Sequence, residues 1–219
     1  MKNVVDKNVT EHPNRFRVMP QHFYKFTCSE DILTAAQENI FNLPYSPNTS
    51  NQTSLDHRLE RSPALEPLFN WFSDCLGELK KDLLMECDRI KITQAWSNKT
   101  SPGQSHHWHS HPNSFVSGVF YLTTSHAGTC FAIGDIWSPK KNFSGNLDLN
   151  TRSDVAPITH VEPAVAGTLV LFPSVVDHCV APDPNEKDDR FTMSFNTFPE
   201  GVIGAYSTLS GLKITVSGG

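Results

Sequence analysis

Four of the ten histidines fall within six residues, in the run Ser105-His106-His107-Trp108-His109-Ser110-His111-Pro112-Asn113-Ser114. In extended chain, residues two apart point the same way, so His107, His109 and His111 share one face. Two imidazoles on one face, met by a third from another strand, can hold a transition metal. The candidate third ligand is His178, 67 residues after His111, in Phe172-Pro173-Ser174-Val175-Val176-Asp177-His178. A His-x-His pair alone reads equally well as a solvated turn. A second cue, twelve residues beyond His178, argues against that reading: the run Arg190-Phe191-Thr192-Met193-Ser194-Phe195-Asn196. Its alternation places Phe191, Met193 and Phe195 against a hydrophobic layer and Arg190, Thr192, Ser194 and Asn196 on the opposite face. If the sheet curls, that polar face lines an interior pocket. An arginine there is costly unless it meets an anion. Its planar fork suits a carboxylate, which the Thr192 hydroxyl can share.

Positioning these groups calls for a sheet. After Asp88 the hydrophobic period changes from 3.6 to 2. Arg89–Asn98, Ser114–Thr124, Thr129–Asp135, Ile158–Glu162, Gly167–Phe172, His178–Ala181 and Arg190–Thr197 read as short strands, with Ile203–Tyr206 and Leu212–Val216 as two further candidates. Turn residues separate them and no helical pattern intervenes, which predicts an antiparallel sandwich or barrel. Before Asp88 the pattern is helical. Ser29-Glu30-Asp31 opens a helix carrying Ile32, Leu33, Ala36 and Ile40, which ends at Pro44. Ser62-Pro63 opens a second, whose stripe is Leu65, Leu68, Phe69, Phe72, Cys75, Leu76, Leu79 and Leu83. That stripe requires a flat apolar surface, the outer face of the larger sheet. Arg15–Met19 and Phe23–Thr27 suit edge strands, and Pro44–Ser54 reads as a polar loop. Lys140–Pro157 is a long turn-rich connection suited to a lid or substrate loop.

The order of these cues resembles the iron(II)/2-oxoglutarate-dependent dioxygenases built on the double-stranded β-helix. His109-Ser110-His111-Pro112-Asn113-Ser114, with Ser117-Gly118-Val119-Phe120-Tyr121-Leu122, resembles the oxygenase subfamily with an HxHP…SGvyYl block. Leu169–Ser174, His178 and Arg190–Asn196 resemble its later blocks. The resemblance spans about residues 89–198. It implies a jelly-roll core buttressed by N-terminal helices, with Fe(II) on His109, His111 and His178. It implies 2-oxoglutarate anchored by Arg190 and Thr192, with O2 consumed, succinate and CO2 released and a substrate hydroxylated. Asn98, closing the strand before the Ser101-Pro102-Gly103 turn, is a candidate for the cosubstrate carboxylate near the metal and equally a turn-initiating residue. Tyr121 faces either the pocket or the core. The superfamily's usual motif is His-x-Asp/Glu with a distant histidine; here His111 stands at the carboxylate position. A neutral triad is compatible with iron, but three-histidine sites also typify cupins, and Asp135 or Asp177 could complete the site instead. A cupin-type metalloenzyme without 2-oxoglutarate and a non-catalytic ligand-binding barrel therefore stay open.

Composition narrows the partners. The 219 residues carry a formal charge of −5, which argues against a general binder of nucleic acid or anionic membranes. No apolar run approaches the roughly 18 residues of a membrane span. The N-terminus is too polar for a secretory signal. Cysteines 28, 75, 87, 130 and 179 lack paired spacing and read as reduced thiols, so a cytoplasmic setting is expected. The expected organisation is one domain over 1–219, with leader and supporting helices in 1–88 and the oxygenase core in 89–219. The substrate, small molecule or peptide, is not readable; Trp108, His106 and His107 could stack on or bond it, but read first as solvent-facing turn residues.

Overall fold

The computed structural model describes residues 22–132 and 159–217. The strand expected at Arg15–Met19, the Lys140–Pro157 loop and Asp135 lie outside them. In chain order the elements begin with β1 (Tyr24–Thr27), α1 (Glu30–Ile40), β2 (Tyr45–Pro47), β3 (Gln52–Ser54) and α2 (Glu66–Asp82). The barrel strands follow: β4 (Arg89–Thr100), β5 (His106–His109), β6 (Val116–Tyr121), β7 (Ser125–Ala132) and β8 (Thr159–Ala164). The chain closes with β9 (Thr168–Pro173), β10 (His178–Val180), β11 (Arg190–Ile203) and β12 (Leu212–Ile214).

These strands form two antiparallel sheets. The larger runs β1-β9-β6-β11-β4-β3-β2, with β12 on the far end of β11, and the smaller runs β5-β10-β7-β8. The barrel's central neighbours, β9 with β6, β6 with β11, β11 with β4 and β5 with β10, are distant in sequence, as a jelly roll requires. Strict alternation sorts the side chains of the large sheet. Phe120, Leu169, Leu171, Phe191, Met193 and Phe195 face the helices, while Val119, Tyr121, Val170 and Phe172 face the small sheet and meet Phe131 there.

The helices cover the large sheet as their stripe demands. Phe72 of α2 lies 5.4 Å from the Phe120 ring and 4.8 Å from that of Phe195. Leu68, Phe69, Cys75, Leu76 and Leu79 are buried with it, and Leu33, Ala36 and Ile40 of α1 join the same core. Each such fully buried side chain contributes about 1.5–3 kcal/mol relative to exposure. At Gly118, a Cβ would sit 2.2 Å from Phe195 Cζ, so glycine there lets that ring pack against the strand.

Three expectations change. The α-helix begins at Glu66, three residues after Pro63, because Pro63–Leu65 forms a 3₁₀ turn and Pro67 then occupies the first helical turn. Leu83 falls beyond the helix and is 45% exposed. Pro44–Ser54 is not a plain loop: β2 and β3 form a hairpin whose second strand pairs with β4, because the sheet edge offers the unsatisfied backbone groups of β4. The strand read at Ile203–Tyr206 is instead the end of β11 followed by a 3₁₀ turn at Tyr206–Thr208. All five cysteines are free.

Candidate active site

Sheet pairing brings the dispersed histidines together. His178 opens β10 directly opposite His109, the last residue of β5. His111 follows on the loop, just before a turn in which Asn113 adopts φ 57°, a left-handed conformation that asparagine tolerates. The His111 backbone N–H donates to the Ser174 carbonyl (2.9 Å), tying this loop to the one that leads into β10. The Ser174 hydroxyl lies 2.7 Å from that of Ser114 and 2.8 Å from that of Ser117, and these contacts lock the same junction. One ring nitrogen from each of His109, His111 and His178 lies within 4.8 Å of the other two, and no other such group of three occurs among the described residues.

The tautomers leave lone pairs where a metal needs them. His109 Nδ1–H donates to the His107 carbonyl at 2.8 Å, and His178 Nδ1–H donates to the Val176 carbonyl at 3.1 Å. Each bond fixes the proton on Nδ1 and frees Nε2 for coordination. His111 Nε2 is 3.3 Å from His178 Nε2, a separation that calls for a proton or a cation between the two nitrogens. Burial pushes the His178 imidazole down to about 2 and that of His111 to about 4, with the His109 charge adding to both; His109 is itself lowered by burial. Neutral imidazoles are the form a metal binds. Phe131 and Phe172 wall His178 at ring distances of 5.9 and 4.8 Å, and Trp96 lies 5.7 Å from His111. The residues present therefore fit a transition metal with imidazole ligands. Asp177, half-buried beside His178, is not part of the ligand cluster.

The same pocket reaches Arg190. His109, His111 and His178 line it together with Arg190, Thr192, Asn98, Ser194 and Thr129. Arg190 is 3% exposed and forms no ion pair among the described residues. Its Nη2 donates to Thr129 Oγ1 at 3.4 Å, its guanidinium lies 5.5 Å from the Tyr121 ring centre, and its Nε has no partner among the described residues. Asn98 donates from Nδ2 to Ser194 Oγ at 3.1 Å, and its Oδ1 is buried without a partner. Turning that amide over would let Ser194 donate to Oδ1 and leave both Nδ2–H groups facing the pocket. Tyr121 is fully buried behind Arg190, and its hydroxyl donates to Thr129 Oγ1 at 2.8 Å.

The model of a family described as "Putative 2OG-Fe(II) oxygenase" matches residues 94–196, the stretch that holds every one of these pocket residues. This stretch of the chain is similar to the 2OG-Fe(II) oxygenases. The core is the double-stranded β-helix of that oxygenase fold, whose members use Fe(II), 2-oxoglutarate and O2, and the histidine triad fits such a metal. Solved structures share this fold at low identity. A prolyl-4-hydroxylase from Pseudomonas putida is 16% identical with a TM-score of 0.56, covering 83% of this chain and 94% of that one. HygX from Streptomyces hygroscopicus, crystallised with nickel, 2-oxoglutarate and hygromycin B, is 12% identical with a TM-score of 0.60, covering 82% and 83%. The epimerase SnoN from nogalamycin biosynthesis is 8% identical with a TM-score of 0.61, covering 84% and 80%. No curated protein matches the chain. No described helix is long and apolar enough to cross a membrane.

Two pocket residues of the oxygenase escape a reading of the sequence. Thr129 accepts from both Tyr121 and Arg190, which leaves its own proton to donate into the pocket. Alternation with Phe131 on β7 was a usable signal for its inward face. His106 lines the pocket as well, whereas His107 and Trp108 are exposed. The expectation that His107, His109 and His111 share a face, with His106 in solvent, is thus corrected. The pairing of β5 with β10 slips by one residue between His109 and His106, and that bulge reverses the parity.

Proposed function

We propose that His109, His111 and His178 hold Fe(II), and that Arg190 and Thr192 bind the far carboxylate of 2-oxoglutarate. Asn98 bonds the carboxylate nearer the metal, Thr129 adds a donor beside Arg190, and Tyr121 supports both from behind. When bound, the iron and 2-oxoglutarate activate O2 with release of succinate and CO2, which supplies the oxidising power for hydroxylating a small molecule or peptide.

The observation that carries this reading is Arg190, a buried guanidinium without an ion pair among the described residues, in one pocket with three neutral imidazoles. A charge removed from water without a counter-ion costs several kcal/mol, so its placement makes sense as half of a pair whose other half is a ligand anion. Arg190 fixes one end of a dicarboxylate and the histidines fix the metal end. Phe131, Phe172 and Trp96 keep bulk water from the space between. A cupin-type enzyme that uses the metal without 2-oxoglutarate would have no need of such an arginine in the metal pocket.

Anaerobic addition of Fe(II) and then 2-oxoglutarate tests the proposal. The expected result is a visible charge-transfer band that needs both, with His178→Ala binding less than a tenth of the wild-type iron at matched concentrations. Iron binding without any 2-oxoglutarate-dependent band refutes the proposal.

A further inference from the structure

The pocket holds a fourth imidazole that neither the triad nor the arginine requires. The one-residue slip in the β5–β10 pairing turns His106 inward, where its ring stacks on that of His109 at 4.4 Å between centroids and 24° between planes. It lines the same pocket as Arg190, Asn98, Thr192 and Thr129, and it feels the charges of Arg190, His109 and His111. His106 therefore sits on the wall that joins the metal end of the pocket to its anion end. Hydrogen bonds to backbone carbonyls orient His109 and His178; among the described residues His106 has no such bond. A half-buried donor without an acceptor is unfavourable. His106 shares this wall with the donors of Arg190, Thr129 and Asn98, and a ligand rich in acceptor oxygens would satisfy them together.

We infer that His106 is a cosubstrate-contacting residue, donating one hydrogen bond from its ring N–H to a carboxylate oxygen of 2-oxoglutarate. The inference rests on the assignment of the pocket given above. It gives His106 a role separate from iron binding, and it makes the bulge in β5 a device for presenting that donor.

The test separates iron from cosubstrate. His106→Phe keeps an aromatic ring to stack on His109 and removes the donor; His106→Gln keeps an N–H donor and removes the ring. Iron affinity is measured anaerobically without 2-oxoglutarate, and 2-oxoglutarate affinity is then titrated on the iron-loaded protein through the charge-transfer band. The expected outcome is wild-type iron affinity in both variants, with 2-oxoglutarate bound roughly tenfold more weakly by His106→Phe and less weakened in His106→Gln, as loss of a hydrogen bond to a charged group predicts. Unchanged 2-oxoglutarate affinity in His106→Phe, with a normal wild-type band, overturns this inference and leaves the pocket assignment standing. Loss of iron from both variants also overturns it, because the ring would then serve the metal. A wild-type protein that binds iron but never develops the band overturns the pocket assignment and this inference together.

Discussion

Replacing Arg190 by methionine should make the ligand-free protein more stable while removing its response to 2-oxoglutarate. Arg190 is 3% exposed, and its compensation in contact is a 3.4 Å hydrogen bond to Thr129 and a 5.5 Å approach to the Tyr121 ring, with the Glu186 charge acting from farther off. Burial of an ion costs several kcal/mol after relaxation, against which a desolvated cation–π contact returns about 2 kcal/mol and a long hydrogen bond less than 1 kcal/mol. An apolar side chain of similar length removes the cost, so Arg190→Met should gain about 2 kcal/mol. For a chain of this size that corresponds to a rise of roughly 4–8 °C in Tm. The assay is thermal and urea unfolding of metal-free protein, repeated with iron and 2-oxoglutarate under anaerobic conditions. At a hundredfold excess over its Kd, a ligand that binds only the folded state adds about 2.7 kcal/mol to the wild type, and Arg190→Met should show none of this. The order of stability therefore reverses when ligand is added. A metal-free Arg190→Met that is less stable than wild type by more than about 1 kcal/mol would refute the reasoning, since Arg190 would then already have its counter-charge within the protein.

Two further outcomes follow from the packing. Metal-free protein should lose stability as pH falls below about 6.5. His106, His109, His111 and His178 all have folded-state values below the ordinary imidazole range, with His106 pushed down to about 3, His111 to about 4 and His178 to about 2, in each case mainly by burial. The unfolded chain then binds protons that the folded one refuses. Their contribution is intact above pH 6.5 and drains away toward those lower values, at about 1.4 kcal/mol per pH unit for each imidazole. Urea midpoints measured from pH 7.5 to 5 check this, and a flat profile contradicts it. Gly118→Ala should cost about 2 kcal/mol by overpacking against Phe195, because the added Cβ would lie 2.2 Å from Phe195 Cζ. Wild-type stability in urea would show that the ring has room to move.

Much of the site was legible because its logic is local. Alternation within Arg190–Asn196 predicts which side chains enter the pocket and which enter the helix-facing core, and Arg190 and Phe195 fall on those opposite sides. The α2 stripe likewise names its own buried residues from Leu68 to Leu79. Parity arguments fail where the register breaks. His106 and His109 are three apart and would face opposite ways on a regular strand, yet one extra residue in the pairing brings both to the pocket. The Pro44–Ser54 segment fails for another reason: its polar composition suits a loop, and only the open edge of β4 makes it a hairpin.

The sequence alone determined the candidate ligand types, their order along the chain and most of the faces on which strands and helices present them, because side-chain chemistry and backbone periodicity are properties of short segments. The tertiary structure decided what those segments meet. Antiparallel pairing placed His178 against His109 across almost seventy residues of chain, and the bulge beside it chose His106 over His107 for the interior. Sheet closure left the Arg190 guanidinium with Thr129 and Tyr121 and with no carboxylate in contact among the described residues. Such a surrounding depends on every neighbour at once, so it exists only in the folded molecule.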